Sequence, residues 1–213
     1  MSQAEATPLM QFDDPAQQRE AATLGMWVFL ATEVLFFGAL IAAYLNYRIW
    51  FGADFIAAAR MTKVVLGTGN TAVLLTSSAC MAMAVNTYEE GSRRAPVLWL
   101  FATALLGLAF IGIKSVEYWL EYQEHLVPAL NFDLQRHGGV AEIFFIFYFC
   151  ATGLHALHLL IGISLVTWLA WWIGTGRIDP ASSTTRLIGL YWHFVDIVWI
   201  FLFPLIYLAG RSG

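Results

Sequence analysis

Two ionisable side chains, His193 and Asp196, interrupt the last long apolar stretch of the sequence. Ionisable groups are costly at membrane depth and persist mainly where they face protein, water or a partner. Residues three apart lie on the same face of a helix. We therefore expect this face to point into protein, where the two groups form an internal pair or a contact to another subunit rather than a catalytic centre.

Glu33 is the most isolated charged side chain in the sequence. It lies in the apolar segment 26–38, and its nearest charged neighbours along the chain are Glu20 and Arg48. A lone carboxyl in apolar surroundings favours its neutral form. Two interpretations stay open: a carboxyl that takes part in proton transfer or in an interface, and a protonated carboxyl that is hydrogen-bonded inside the bundle for packing.

His155 and His158 are three residues apart in another apolar stretch and so share a helix face. Two histidines one turn apart supply only half of a closed metal site, and no third ligand stands near them in the sequence. We therefore expect no metal here. Hydrogen bonds from these histidines to carboxyls on neighbouring helices are the better hypothesis, with Glu33 and Glu117 as candidate partners.

Lys114 and Glu117 are also three apart and could pair near the membrane interface. The alternative is an interfacial anchor among the aromatic residues of that segment. Asn70 lies in a stretch of small residues, which let helices approach closely while amide and hydroxyl groups bond across them. That face is predicted to serve packing.

The composition predicts an integral membrane protein. Of the 213 residues, 59% are hydrophobic and only 12% are charged, whereas soluble domains have about 25% charged residues. The net charge is −4 with no basic run, so nothing indicates nucleic acid. Cys80 and Cys150 both lie in apolar stretches, where free cysteine behaves as a small hydrophobe.

Five segments are long and apolar enough to cross a bilayer as helices. We predict an all-α membrane protein, a bundle of five transmembrane helices within a domain at 24–209, preceded by a polar N-terminal segment at 1–23 and followed by a C-terminal tail at 210–213. The N-terminal segment lacks the features of a cleavable signal, so the first span is expected to direct insertion. An acidic connection is expected at 117–136. The predicted spans are 24–47, 64–86, 96–113, 141–173 and 187–208.

Taken in order, five segments resemble the subunit III family of the haem–copper terminal oxidases, in its short five-helix bacterial form. The resemblance covers about residues 24–209. Any one segment alone would be weakly specific, and the preserved order makes the resemblance specific. The matching segments are 30–37, 70–75, 114–118, 152–158 and 191–199.

This resemblance implies a V-shaped helix bundle whose cleft holds phospholipids. It implies that Glu33 is a buried carboxylate near subunit I. The other polar residues would be internal, at the lipid cleft or at helix contacts. This chain would bind no metal or haem, because haem and copper belong to partner subunits I and II. The residues given these internal positions are Asn70, Glu117, His155, His158, His193 and Asp196.

The resemblance also implies a supporting role. The family subunit aids proton uptake by subunit I and protects the oxidase during turnover, in a complex with subunits I and II and in some cases a small subunit IV. It implies the bacterial plasma membrane, with a cytoplasmic N-terminus and a periplasmic C-terminus. Charge alone does not orient the chain, because five basic residues on one side face six on the other.

Three alternatives remain at this point. The partner could be a quinol oxidase rather than a cytochrome c oxidase. Segment 142–149 and the ending 203–207 look closer to a divergent branch, some members of which are accessory proteins of nitric oxide reductases. A third class is an independent transporter built on Glu33, His155 and His158, although the sequence shows neither a water-lined path nor repeat symmetry.

Overall fold

A computed structural model describes residues 14–178, 183–209 and 211, and all regular structure in these ranges is helical. The residues at 1–13, which hold much of the predicted polar N-terminal segment, and most of the tail at 210–213 lie outside the described residues. The elements are α1 (Pro15–Trp50), α2 (Gly52–Ala59), α3 (Val64–Glu89), α4 (Arg94–Gln123), α5 (Leu134–His137), α6 (Gly139–Gly174) and α7 (Thr184–Tyr207).

Five of these helices, α1, α3, α4, α6 and α7, are long and apolar enough to span a membrane, which confirms the predicted all-α membrane fold. Both α1 and α6 have 36 residues. At 1.5 Å per residue each is about 54 Å long and exceeds the ~30 Å hydrocarbon core. The side chain of Asp14 caps the N-terminus of α1, where it accepts hydrogen bonds from the backbone N–H groups of Ala16 and Gln17.

The predicted connection at 117–136 is wrong in its first part. We expected the third span to end at Ile113, but α4 continues to Gln123. The sequence turns polar after Ile113, yet Lys114, Glu117 and Glu121 fall on one inward-facing stripe and are buried. A helix can carry such residues past an apolar run when the interior of the bundle supplies their partners.

Helices α3, α4, α6 and α7 pack on one another, and α1 lies against α6 and α7. The stripe of α3 that faces the bundle contains Gly67, Asn70 and Ser77, as its small-residue pattern predicts. The hydroxyl of Ser77 donates to the carbonyl oxygen of Thr103 on α4 at 3.2 Å. The α3–α4 contact is therefore a close one.

The indole of Trp192 fixes the packing of α7 against α4 and α6. It is fully buried and lies between Gly107 of α4 and Gly162 of α6. A Cβ atom at Gly107 would approach the ring to 3.0 Å, and one at Gly162 would approach it to 3.1 Å. The two glycines thus leave the space that the tryptophan fills.

Candidate functional site

The carboxyl of Glu33 on α1 lies against the imidazole of His158 on α6, and this contact links the two helices. The Glu33 Oε2 atom is 3.1 Å from the His158 Nε2 atom. The other ring nitrogen, Nδ1, is 2.8 Å from the carbonyl oxygen of Leu154, one turn back on α6. Of the two carboxyl partners predicted for the histidines, Glu33 is confirmed as the partner of His158.

The hydrogen bonds of His158 constrain where protons sit in this pair. A backbone carbonyl only accepts, so Nδ1 carries a hydrogen and donates it to Leu154. The contact between Nε2 and Glu33 then holds one proton, either on the carboxyl or on the ring. In both arrangements the pair has no net charge, which suits its place at membrane depth.

A second polar cluster is built around Lys114, in the interior between α4, α6 and α7. The ammonium group donates to Glu117 Oε2 at 3.0 Å and to the hydroxyl of Tyr148 at 2.8 Å. Its third bond is to the hydroxyl of Tyr207. An ammonium has three donors, and all three are used here.

The same cluster satisfies the carboxylate of Glu117. Tyr207 accepts from Lys114 and donates its own hydrogen to Glu117 Oε1 at 2.8 Å. The side chains of Lys114 and Glu117 are 3% and 0% exposed. The predicted pairing is thus confirmed, but the interfacial anchor is wrong, because both groups lie inside the bundle rather than at its surface.

Three residues that complete this cluster were not identified from the sequence. Glu121 lies one turn beyond Glu117 on the same buried stripe, and the spacing of the three charged residues at 114, 117 and 121 could have revealed it. Tyr148 and Tyr207 belong to other helices. Nothing in their local sequence distinguishes them from aromatic residues that face lipid.

His193 and Asp196 occupy the contact between α7 and α3. The Nδ1 atom of His193 is 2.8 Å from the hydroxyl of Ser78, and it is 3.9 Å from Asp196 Oδ2. The two residues share a face as predicted, but 3.9 Å is too long for a hydrogen bond. Ser78 is the closer partner of the histidine, and Asp196 is buried beside it.

The expectation that His155 bonds to a carboxyl is wrong. This ring is fully buried between Phe110 and Trp199, with ring centroids 5.5 and 5.0 Å away, and neither ring nitrogen has a hydrogen-bond partner in the described part of the chain. Glu117 is engaged by Lys114 and Tyr207 instead. Asn70 is likewise buried without such a partner among the described residues.

These arrangements are mainly hydrogen-bonded pairs and one larger cluster around Lys114. Within the ranges that the structure describes, no group of three or more His, Cys, Asp or Glu side chains could hold a metal ion. Several polar residues are hydrogen-bonded across helix interfaces: Glu33 to His158, Lys114 to Tyr148 and Tyr207, and Ser78 to His193. Fold and site together define an all-helical, multi-pass membrane protein with polar clusters inside its bundle.

Comparison with known proteins identifies the family. Residues 5–211 match the model of the family described as cytochrome c oxidase subunit III. This chain belongs to that family, subunit III of the haem–copper oxidases, as the order of its segments predicted. It therefore associates with subunit I of such an oxidase.

Individual relatives carry different oxidase names. The chain is 30% identical over 191 residues to cytochrome c oxidase subunit 3 of Alkalihalophilus pseudofirmus, covering 89% of this chain and 87% of that protein. It is 33% identical over 193 residues to quinol oxidase subunit 3 of Bacillus subtilis, covering 89% and 88%. A haem–copper oxidase subunit I+III of Aeropyrum pernix is 30% identical over 191 residues, which are 86% of this chain and 22% of that protein.

Proposed function

We propose that this chain is the non-catalytic subunit III of an aerobic terminal oxidase, where it supports proton uptake by subunit I and stabilises that subunit during oxygen reduction and proton pumping. The haem and copper centres belong to subunits I and II in this proposal. The observation that carries it is the family match over residues 5–211. His158 is paired with Glu33 and His193 with Ser78, so each histidine has a side-chain partner within this chain.

This proposal has two forms, which differ in the electron donor of the complex. A cytochrome c oxidase and a quinol oxidase are both supported, because relatives of similar identity carry both names. We retain the cytochrome c type as the first form and the quinol type as the second. An accessory protein of nitric oxide reductase is the further alternative, and it differs in partner rather than in fold.

We also propose that phospholipid occupies the cleft of the V-shaped bundle that the family resemblance implies. This proposal rests on the family resemblance, because the small apolar hollow between α1, α6 and α7, at about 10 Å³, has room for one water molecule and not for an acyl chain. Its lining includes Leu40, Tyr44, Phe147, Leu202 and Leu205. The proposed location is the bacterial plasma membrane, with the N-terminus in the cytoplasm and the C-terminus in the periplasm.

Purification of the tagged chain in a mild detergent tests the proposed function. The optical spectrum and mass spectrometry of the co-purifying proteins are the readouts. We expect a-type or o-type haem together with a large multi-span subunit I and a copper-binding subunit II. Only b-type and c-type haem with a reductase would assign the chain to nitric oxide reductase. A colourless protein without partners, carrying proton flux into liposomes, would support a transporter instead.

Depletion of this chain should shorten the working life of the oxidase without abolishing its initial activity. We expect the complex that lacks the chain to start at a rate near that of the intact complex and then to lose activity with turnover. Oxygen consumption followed over successive additions of substrate measures this decay. A depleted complex that keeps its full rate indefinitely would contradict the protective role.

Glu33→Ala should weaken attachment to subunit I more than it slows the initial turnover. The change removes the partner of His158 Nε2, whose side chain is 14% exposed, and a polar group that loses its partner away from water costs about 1–3 kcal/mol. Co-purification of subunit I with the tagged variant is the measurement. Glu33→Gln is the matched control, because its amide can donate to Nε2 while Nδ1 stays bonded to Leu154. Equal losses in both variants would show that a carboxyl, rather than a hydrogen-bond donor, is required.

A further inference from the structure

Glu121 is a buried carboxyl that takes no part in the hydrogen bonds described so far. It lies in the last turn of α4, and the residue is 0% exposed. Neither of its carboxyl oxygens has a hydrogen-bond partner among the described residues. An ionised carboxylate has about four acceptor positions, so a buried one without donors is costly.

The nearest cation on the same helix already has another counter-ion. Lys114 and Glu117 precede Glu121 on one buried stripe of α4. All three donors of the Lys114 ammonium are used, and none of them is directed to Glu121. This part of the cluster therefore holds one positive charge, which the carboxylate of Glu117 balances.

The other titratable groups near Glu121 come from each neighbouring segment. Lys63, which directly precedes α3, interacts with Glu121, but its ammonium is hydrogen-bonded to Glu124. The remaining neighbours are phenols, which are neutral in water near pH 7. These phenols belong to Tyr118 of α4, Tyr148 of α6 and Tyr207 of α7. None of these three cancels a negative charge on Glu121.

A protonated carboxyl at Glu121 fits these surroundings. The acid carries no charge, and its hydrogen needs one acceptor. The hydroxyl oxygen of Tyr148 has two acceptor positions, of which Lys114 occupies one. The other position can accept the hydrogen of Glu121, whose carboxyl lies beside this phenol. Protonation thus removes the cost of an unpaired buried charge and supplies a donor within the cluster.

We propose that Glu121 is a proton-binding site of the folded bundle and that it is a neutral carboxylic acid at pH 7. Unfolding exposes this carboxyl to water, where a glutamate is ionised above about pH 4.3. Each chain that unfolds near neutral pH therefore releases one proton from this site to the solvent. The site uses only residues of this chain, so it does not depend on which oxidase subunits are bound.

Infrared difference spectroscopy of the full-length chain in detergent at about pH 7 tests this proposal. We expect wild type to show a carboxylic-acid C=O band that is missing in Glu121→Gln, because an amide has no such band. Glu121→Asp keeps the acid and should shift the band rather than remove it. Glu124→Gln is the matched control, since it replaces an exposed carboxylate close by on the chain and should leave the band unchanged. A band of equal size in wild type and Glu121→Gln would overturn the proposal.

The pH dependence of unfolding gives an independent readout of the same proton. A group that holds one proton only in the folded state makes the unfolding equilibrium constant rise about tenfold per pH unit. Between about pH 6 and 7, titration with sodium dodecyl sulfate should therefore show a rise about tenfold larger in wild type than in Glu121→Gln. Glu124→Gln should keep the wild-type dependence. Equal pH dependence in wild type and Glu121→Gln would show that this carboxyl is ionised in the folded chain as well, which would contradict the proposal.

Discussion

Replacement of Lys114 by methionine should destabilise the folded chain by about 3–5 kcal/mol, the range measured when one partner of a buried ion pair is removed. The variant leaves the carboxylate of Glu117 buried with one donor, Tyr207, and it removes the donor to Tyr148. Titration with sodium dodecyl sulfate in mixed micelles unfolds the protein and measures the loss in its free energy of unfolding. A loss of this size is a large part of the stability of a domain.

An exposed ion pair in the same chain is the matched control for Lys114. Lys63 and Glu124 form such a pair, with side chains 31% and 47% exposed. Solvated pairs of this kind contribute about 0–1 kcal/mol. Lys63→Met should therefore have at most a small effect on the free energy of unfolding, although both substitutions remove one lysine.

The double variant Lys114→Met/Glu117→Gln distinguishes an uncompensated charge from lost packing. It removes both charges, so it should recover a substantial part of the stability lost in Lys114→Met. A double variant as unstable as the single one would show that the lysine stem, rather than the charge, stabilises the cluster. A single variant as stable as wild type would contradict the ion-pair account altogether.

The membrane fold and several polar contacts could be predicted from the sequence because they depend on local patterns. Apolar runs of sufficient length predict the five spans, and a spacing of three predicts which polar residues share a helix face. The link between Glu33 and His158 was among the predicted pairs because each is polar in an apolar helix. Membership of the subunit III family followed from five short segments in one order.

Contacts between helices distant in sequence could not be predicted in the same way. Tyr207 closes the cluster at Lys114 from 93 residues away, and Ser78 reaches His193 from 115 residues away. The end of α4 was misplaced for the same reason, since the buried partners that allow Lys114 and Glu117 inside the bundle come from α6 and α7. Tertiary context, rather than local polarity, decides where a membrane helix ends.

Packing around Trp192 gives the second large expected effect. Trp192→Ala should destabilise the chain by about 3 kcal/mol, near the lower end of the range for deleting a buried aromatic side chain. The lower end is expected because lipid tails are as apolar as the core, so packing rather than transfer from water stabilises helix association. Trp119→Ala is the matched control, since this tryptophan on α4 is 61% exposed. Titration with sodium dodecyl sulfate again measures the free energy of unfolding of each variant.

Adding a side chain at Gly107, which lies against Trp192, tests the same contact from α4. Gly107→Leu should destabilise by about 1–3 kcal/mol, because a Cβ at this position already meets Ile163 and Trp192 at 3.0 Å. Gly112→Leu on the same helix, where nothing lies within 4 Å, should have little effect. In Gly107→Leu/Trp192→Ala the leucine can enter the vacated space, so the double variant should lose less stability than the sum of the two single losses. Strict additivity would mean that α4 and α7 do not meet through this tryptophan.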